Sequence, residues 1–171
     1  NGSGFNSQEL FQYDASSGQL STLAPVNDPR GVTTDGHSVY WIDVDQAGNP
    51  VIMRRAAEEN NNEVVYPRTF SDNTIIQPVD LDFLATDEDG ARLLVLDAEA
   101  GQLWQLQVGQ QFNTITAVGP ARYAAGSERH HLAWLDRVED QVYVADPGLT
   151  GHEDTPPLLE MIALDGDQWA T

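Results

Sequence analysis

Thr34–Asp43 reads TDGHSVYWID, Glu88–Asp97 reads EDGARLLVLD, and Val138–Asp146 reads VEDQVYVAD. The first two align without a gap, the third with one residue missing. In each, an acidic turn leads into a short alternating stretch that ends in Asp. The terminal acids Asp43, Asp97 and Asp146 stand 54 and 49 residues apart. Alternation with a period of two, bounded by turn residues such as Asp35-Gly36 and Asp89-Gly90, marks a β-strand.

Working outward, a second strand precedes each copy: PRGVTTD from Pro29, PVDLDFLATD from Pro78 and HHLAWLDRV from His130. A polar turn and another hairpin follow each copy. The unit is therefore four strands in about fifty residues, repeated three times, which is the period of a propeller blade. Such a sheet cannot bury both faces alone and must stack on its neighbours. Helical periodicity is nearly absent. The reading is an all-β, β-propeller-like fold of about three and a half four-stranded blades, part of a larger or oligomeric propeller. Residues 1–7 form a tail, 8–24 the outer hairpin of a preceding blade, and 25–70, 71–119 and 120–171 one blade each. YDASSGQL also matches LDAEAGQL, Leu96–Leu103, which would shift the first hairpin one strand earlier; the short gap from Asp14 to Asp43 favours the outer-hairpin reading.

Composition narrows the partners. There are 27 acidic residues against 8 basic ones, all Arg, and the net charge is -19. Nucleic acid and anionic lipid are repelled by such a chain, while cations and basic proteins are attracted. No apolar run is long enough for membrane insertion. Cysteine is absent, so neither a disulfide scaffold nor a thiolate metal site is available. The chain begins at Asn1 rather than Met, which suggests a removed leader or a piece of a longer chain. With the dense, lysine-free acidity, this leads to the expectation of a secreted, extracellular or periplasmic protein from a saline source.

Pro29 to Arg55, with Tyr40-Trp41-Ile42-Asp43 at its centre, resembles the YWTD repeat of low-density-lipoprotein-receptor-type propellers, and more loosely NHL and gluconolactonase-like repeats. Ile42 stands where the YWTD family has Thr. Leu94–Asp97 lacks both aromatics, and Tyr143–Asp146 keeps the Tyr and the Asp. The resemblance implies a propeller. Gluconolactonase-like enzymes carry a divalent ion in the central channel, and their ligand set finds no residue-by-residue match here.

The strand-end acids are expected to accept backbone N–H bonds in the following turn. Tyr40, Trp41, Trp104, Trp134 and Tyr143 are expected to fill the space between blades. Asp43, Asp45 and Asn49 place oxygen ligands at alternate positions before a turn, with Gly48 among them, as at the start of a calcium loop, though no closing Glu follows. Asp80 and His131 sit near the start of inner strands, where a channel ligand would lie, with Gly31 as the counterpart in the first copy. No nucleophile elbow, phosphate loop or zinc-protease motif occurs. The functional expectation is a non-catalytic extracytoplasmic module that binds a protein partner or further copies of itself, with calcium stabilising a turn. The alternatives are a metal-dependent lactonase-type hydrolase and a structural subunit that assembles through open blade edges.

Overall fold

The structure, a computed structural model, describes residues 8–57, 59–68, 74–109 and 113–120, and the backbone of four further strands; side chains are described through residue 118, except at 87. Every described element is a strand. β1 (Gln8–Asp14) and β2 (Gln19–Val26) form a hairpin. β3 (Arg30–Thr34), β4 (Ser38–Val44), β5 (Pro50–Ala56) and β6 (Glu63–Tyr66) form sheet I, in that order. β7 (Pro78–Asp87), β8 (Gly90–Asp97), β9 (Gln102–Val108) and β10 (Asn113–Pro120) form sheet II. β11 (His131–Asp136), β12 (Gln141–Asp146), β13 (Leu158–Asp165) and β14 (Gln168–Ala170) form sheet III. All pairings are antiparallel meanders. The first strands of successive sheets adjoin, β3 on β7 and β7 on β11, so the sheets radiate from a common inner edge.

The second strand of each sheet carries the packing. Along β4, Tyr40 and Ile42 turn to one side and join Leu81, Phe83, Leu93 and Val95 of sheet II. Trp41 turns to the other side and packs on Ala24 and Val26 of the hairpin. Both faces of the strand are therefore buried, and SVYWIDV reads as a nearly continuous apolar run rather than a clean alternation. β8 behaves likewise: Leu93 and Val95 face sheet I, while Leu94 and Leu96 are fully buried on the opposite side. Trp41 and Tyr40 thus fill the inter-sheet space, as expected from the sequence. Trp104 is packed against the sheet I–II core, with its indole N–H unpaired among the described residues. The side chains of Trp134 and Tyr143 lie outside the described residues.

Polar ties supplement the apolar contact. Arg55 donates to the Leu23 carbonyl and fixes the hairpin to sheet I. Asn113 donates to the Val65 carbonyl across sheets I and II. A two-stranded hairpin is marginal alone, so its order depends on Trp41 and Arg55.

The turn at the outer end of β3 is closed by Asp35. Its carboxylate accepts the N–H groups of His37 and Ser38, at 2.7 and 2.6 Å, and the Tyr40 hydroxyl at 3.0 Å. Burial works to raise the Asp35 pKa, but these donors outweigh it and hold the group below its usual 3.8. Tyr40 is pushed up to about 12, by burial first and then by the facing Asp35 charge. A raised tyrosine pKa favours the folded state below the unfolded value of 10.0, and that contribution is lost as pH rises towards 12. Unfolding free energy should fall across that alkaline window, and Tyr40→Phe should flatten the fall. A phenolate absorbance titration in which no tyrosine ionises later than the exposed ones would contradict this.

Candidate functional site

The repeated Asp has a larger task than closing its own turn. Asp97 is fully buried, and Oδ2 accepts the N–H of Ile76 at 2.7 Å. Its Oδ1 accepts the N–H groups of Gln77, Glu99 and Ala100, each at 3.1 Å. Two of these donors lie in the following turn, as the sequence led one to expect. The other two come from the segment that enters sheet II, about twenty residues upstream. Asp43 repeats the entry half of the device in sheet I: its Oδ1 accepts Asn27, Asp28 and Val44 N–H at 3.0, 2.8 and 2.8 Å, but Val44 ends the same strand, so the expected bonds to the following turn are not made at Asp43. In both sheets the two entry donors immediately precede a proline, Pro29 or Pro78. Proline has no N–H and holds its predecessor extended, so the donors fall to the residues just before it. The Asp146 side chain lies outside the described residues.

The two acids differ further in their second oxygen. Both Asp97 oxygens are occupied. Oδ2 of Asp43 receives no hydrogen bond from the described residues and, although Asp43 is only 6% exposed, it is not among their buried unpartnered atoms, so it is open to solvent. Asp43 lines a recess of about 220 Å³ at the junction of sheets I and II. Ile76, Pro78 and Pro50 give it apolar walls, while Glu99, Asp28 and Arg30 supply charge. Arg30 and Asp28 pair at 3.0 Å, with both side chains about half exposed. An exposed pair of this kind contributes little and is easily rearranged.

The residues expected to hold calcium separate into two groups. Asp45 and Asn49 close the β4–β5 turn on each other: Asp45 Oδ1 accepts the Ala47 and Asn49 N–H groups at 2.8 Å, and Asp45 Oδ2 accepts the Asn49 side-chain amide at 3.0 Å. These bonds, the Asn49 amide first, hold Asp45 below its usual pKa. Asp43 is instead committed to the entry segment. Among the described residues, no three His, Asp or Glu side chains gather at metal-binding distance.

The inner-strand positions are brought together in part. A Cβ on Gly31 would lie 2.6 Å from Asp80 Oδ1 and 2.9 Å from the Leu81 nitrogen, so β3 approaches β7 only because this residue is glycine. Two residues on, Thr33 donates to Asp82 at 3.0 Å and accepts the Phe83 N–H at 3.0 Å. Asp80 and Asp82 therefore both adjoin β3 along the inner edge. The pairing register corrects one correspondence: the residues opposite Ile42, Leu96 and Ala145 are Arg30, Asp80 and His131, because a bulge between Arg30 and Val32 takes Gly31 out of line. His131 opens β11, and its side chain lies outside the described residues.

No family model and no curated protein matches the chain. Solved structures do. The crystal structure of TolB from Acinetobacter baumannii matches 90% of this chain and 34% of its own, with a TM-score of 0.55 at 12% identity. A puromycin hydrolase mutant complexed with PGG matches 82% of this chain and 22% of its own, with a TM-score of 0.55 at 18% identity. Puromycin hydrolase without that mutation gives 0.54 over the same shares. The architecture is that of β-propeller blades. This chain spans about a third or less of the length of each of those structures. At these identities the likeness is one of fold; the narrower resemblance to YWTD and NHL repeats finds no matching family.

Ile76, Gln77 and Glu99 did not stand out in the sequence. The available signal was the proline at the start of PRGVTTD and PVDLDFLATD, each followed by an unmatched acid at the end of the next strand. Asp97→Asn turns an amide donor toward an N–H and should lower the unfolding free energy by about 2 kcal/mol. Asp43→Asn can keep its occupied oxygen and place the amide in the recess, so its cost should be clearly smaller. Equal losses in urea unfolding would show that the two acids are equally committed.

Proposed function

We propose that the chain is the binding portion of a larger propeller, and that its blade junction takes an exposed segment of a partner protein. The observation that carries this is the recess between sheets I and II, which combines apolar walls with the carboxylate of Asp43, one oxygen of which is open to solvent. At about 220 Å³ it falls below the roughly 300–1,000 Å³ of small-molecule pockets, and its size suits one inserted side chain. The entry segments and the β4–β5 turn frame it, so a chain crossing the loop end could be gripped on both sides. The reading is non-catalytic and places the protein outside the cytoplasm; the lysine-free acidity, suited to salty surroundings, supports the latter.

Peptides selected from a display library on the immobilised chain should lose binding when Ile76→Trp fills the recess. Ile76 is 45% exposed, so the replacement leaves the core intact. Peptides that bind both forms alike, or a library that yields none, would overturn the reading.

A second reading, assembly through an incomplete blade, rests on the hairpin. Phe11, Tyr13 and Leu20 are 57%, 65% and 63% exposed on a two-stranded sheet, where the other sheets have four strands. Tyr13 and Leu20 are cross-strand partners, so they form one patch. Two further strands from another copy would cover it and pair the open edge of β1. Light scattering should then give a mass near twice 18.8 kDa, reverting to one chain in a Phe11→Ser, Tyr13→Ser, Leu20→Ser variant. A monomeric parent chain would remove this reading.

A further inference from the structure

We infer that the hairpin face turned away from sheet I is a self-association surface, on which a second copy lays its own β1 and β2 face to face. The inference rests on the second reading above and fixes the geometry of that contact.

The hairpin has two unlike faces. Leu10, Ala24 and Val26 turn to sheet I and pack with Trp41. Glu9, Phe11 and Tyr13 take the alternate positions of β1, and Thr22 and Leu20 are the register partners of Phe11 and Tyr13 on β2. The Thr22 hydroxyl donates to Glu9 at 3.3 Å, which puts those two on one face as well. The outer face therefore carries a large row, Phe11 and Tyr13, beside a smaller row, Thr22 and Leu20. A two-fold axis along the strands sets β1 of each copy over β2 of the other. Tyr13 then meets Leu20 of the second copy, and Phe11 meets its Thr22. Large over small is how stacked sheets fill their interface, and the two-fold makes the same contact twice.

Charge selects a copy over other occupants. The chain carries a net charge of -19, so basic partners are drawn to its acidic surfaces. On this face Glu9 is the one acid among the described strand residues, and the Thr22 hydroxyl already engages it. A face so poor in charge has little to hold a basic partner. It also lets a second copy approach without like charges meeting, because the same axis sets each Glu9 over Pro25, its register partner's equivalent in the other copy.

The geometry is face to face because sheet I obstructs the hairpin edges. Val32, Trp41, Met53 and Val64 form one cross-strand row over β3–β6. Trp41 is fully buried under the hairpin, while Val32 is 59% and Val64 46% exposed. The hairpin thus covers the two middle strands, and sheet I extends beyond it on both sides. A second hairpin approaching an edge would bring its own sheet I against that overhang. Among the described residues, nothing obstructs the outer face.

Light scattering of the whole chain over a concentration series tests this. A mass near twice 18.8 kDa is expected, with the two-chain share rising as salt screens the net charge. Tyr13→Glu and Leu20→Lys should each weaken self-association by at least about tenfold. Both positions are exposed, and unchanged urea unfolding serves as the control for folding. An equal mixture of the two variants should recover the two-chain mass, because position 13 of one chain lies over position 20 of the other. A two-chain mass retained by both single variants overturns this geometry and leaves assembly standing. So does a mixture no better than either variant alone. A parent chain that keeps the one-chain mass at every salt and concentration overturns both.

Discussion

The buried strand-end carboxylate is the constraint on which the arrangement depends. A four-stranded meander has no intrinsic reason to place its entry segment beside the end of its second strand. Asp97 supplies one, by accepting two N–H groups from the entry segment and two from the turn that follows. Because an acceptor with four donors is hard to replace, the angle at which the chain enters sheet II is fixed at one point. Asp43 sets the same angle for sheet I, and the two sheets then present equivalent loop ends. The recess is a consequence, since it lies where two latched entries meet.

Once the entry angles are set, packing follows from the double-faced second strand. Tyr40 and Ile42 cannot be buried unless sheet II is present, and Trp41 cannot be buried unless the hairpin is. Each sheet is thus a core for its neighbours and none is a core alone, which is the logic of stacked repeats. The same dependence explains the inner edge. Gly31 and the Thr33–Asp82 contact permit a backbone approach that larger residues would block, so sheets I and II meet at their first strands as well as at their second.

Much of this was legible in the sequence, because a period of two and a repeat of about fifty residues survive substitution. The hairpin, the four-stranded units and the burial of Tyr40 and Trp41 all follow from patterns that any apolar residue can maintain. The site was less legible, for a physical reason. Asp43, Asp45 and Asn49 sit close in sequence at alternate positions, and this spacing resembles an ion loop. In the fold Asp43 is drawn toward residues fifteen and sixteen positions upstream, while Asp45 closes a local turn with Asn49. Sequence spacing does not report which long-range donors compete for an oxygen. The placing of Gly31 failed for a related reason, since a bulge shifts register by one residue without a mark in the pattern.

A ligand at the junction would touch both sheets at once, and this gives binding a structural consequence. The walls come from sheet I and from the entry and turn of sheet II, so an occupant favours the docked arrangement over any state in which the sheets separate. By mass action it would stabilise the fold in proportion to its occupancy. The effect runs both ways. Weakening the latch at Asp97, which contributes no wall to the recess, would lower affinity by loosening the entry segment that carries Ile76 and Gln77. A partner that inserts a side chain here would therefore sense the packing of two blades rather than the chemistry of one loop. The recess is thus a product of the repeat: the entry segments latched by Asp43 and Asp97 meet there, and neither sheet contains it alone.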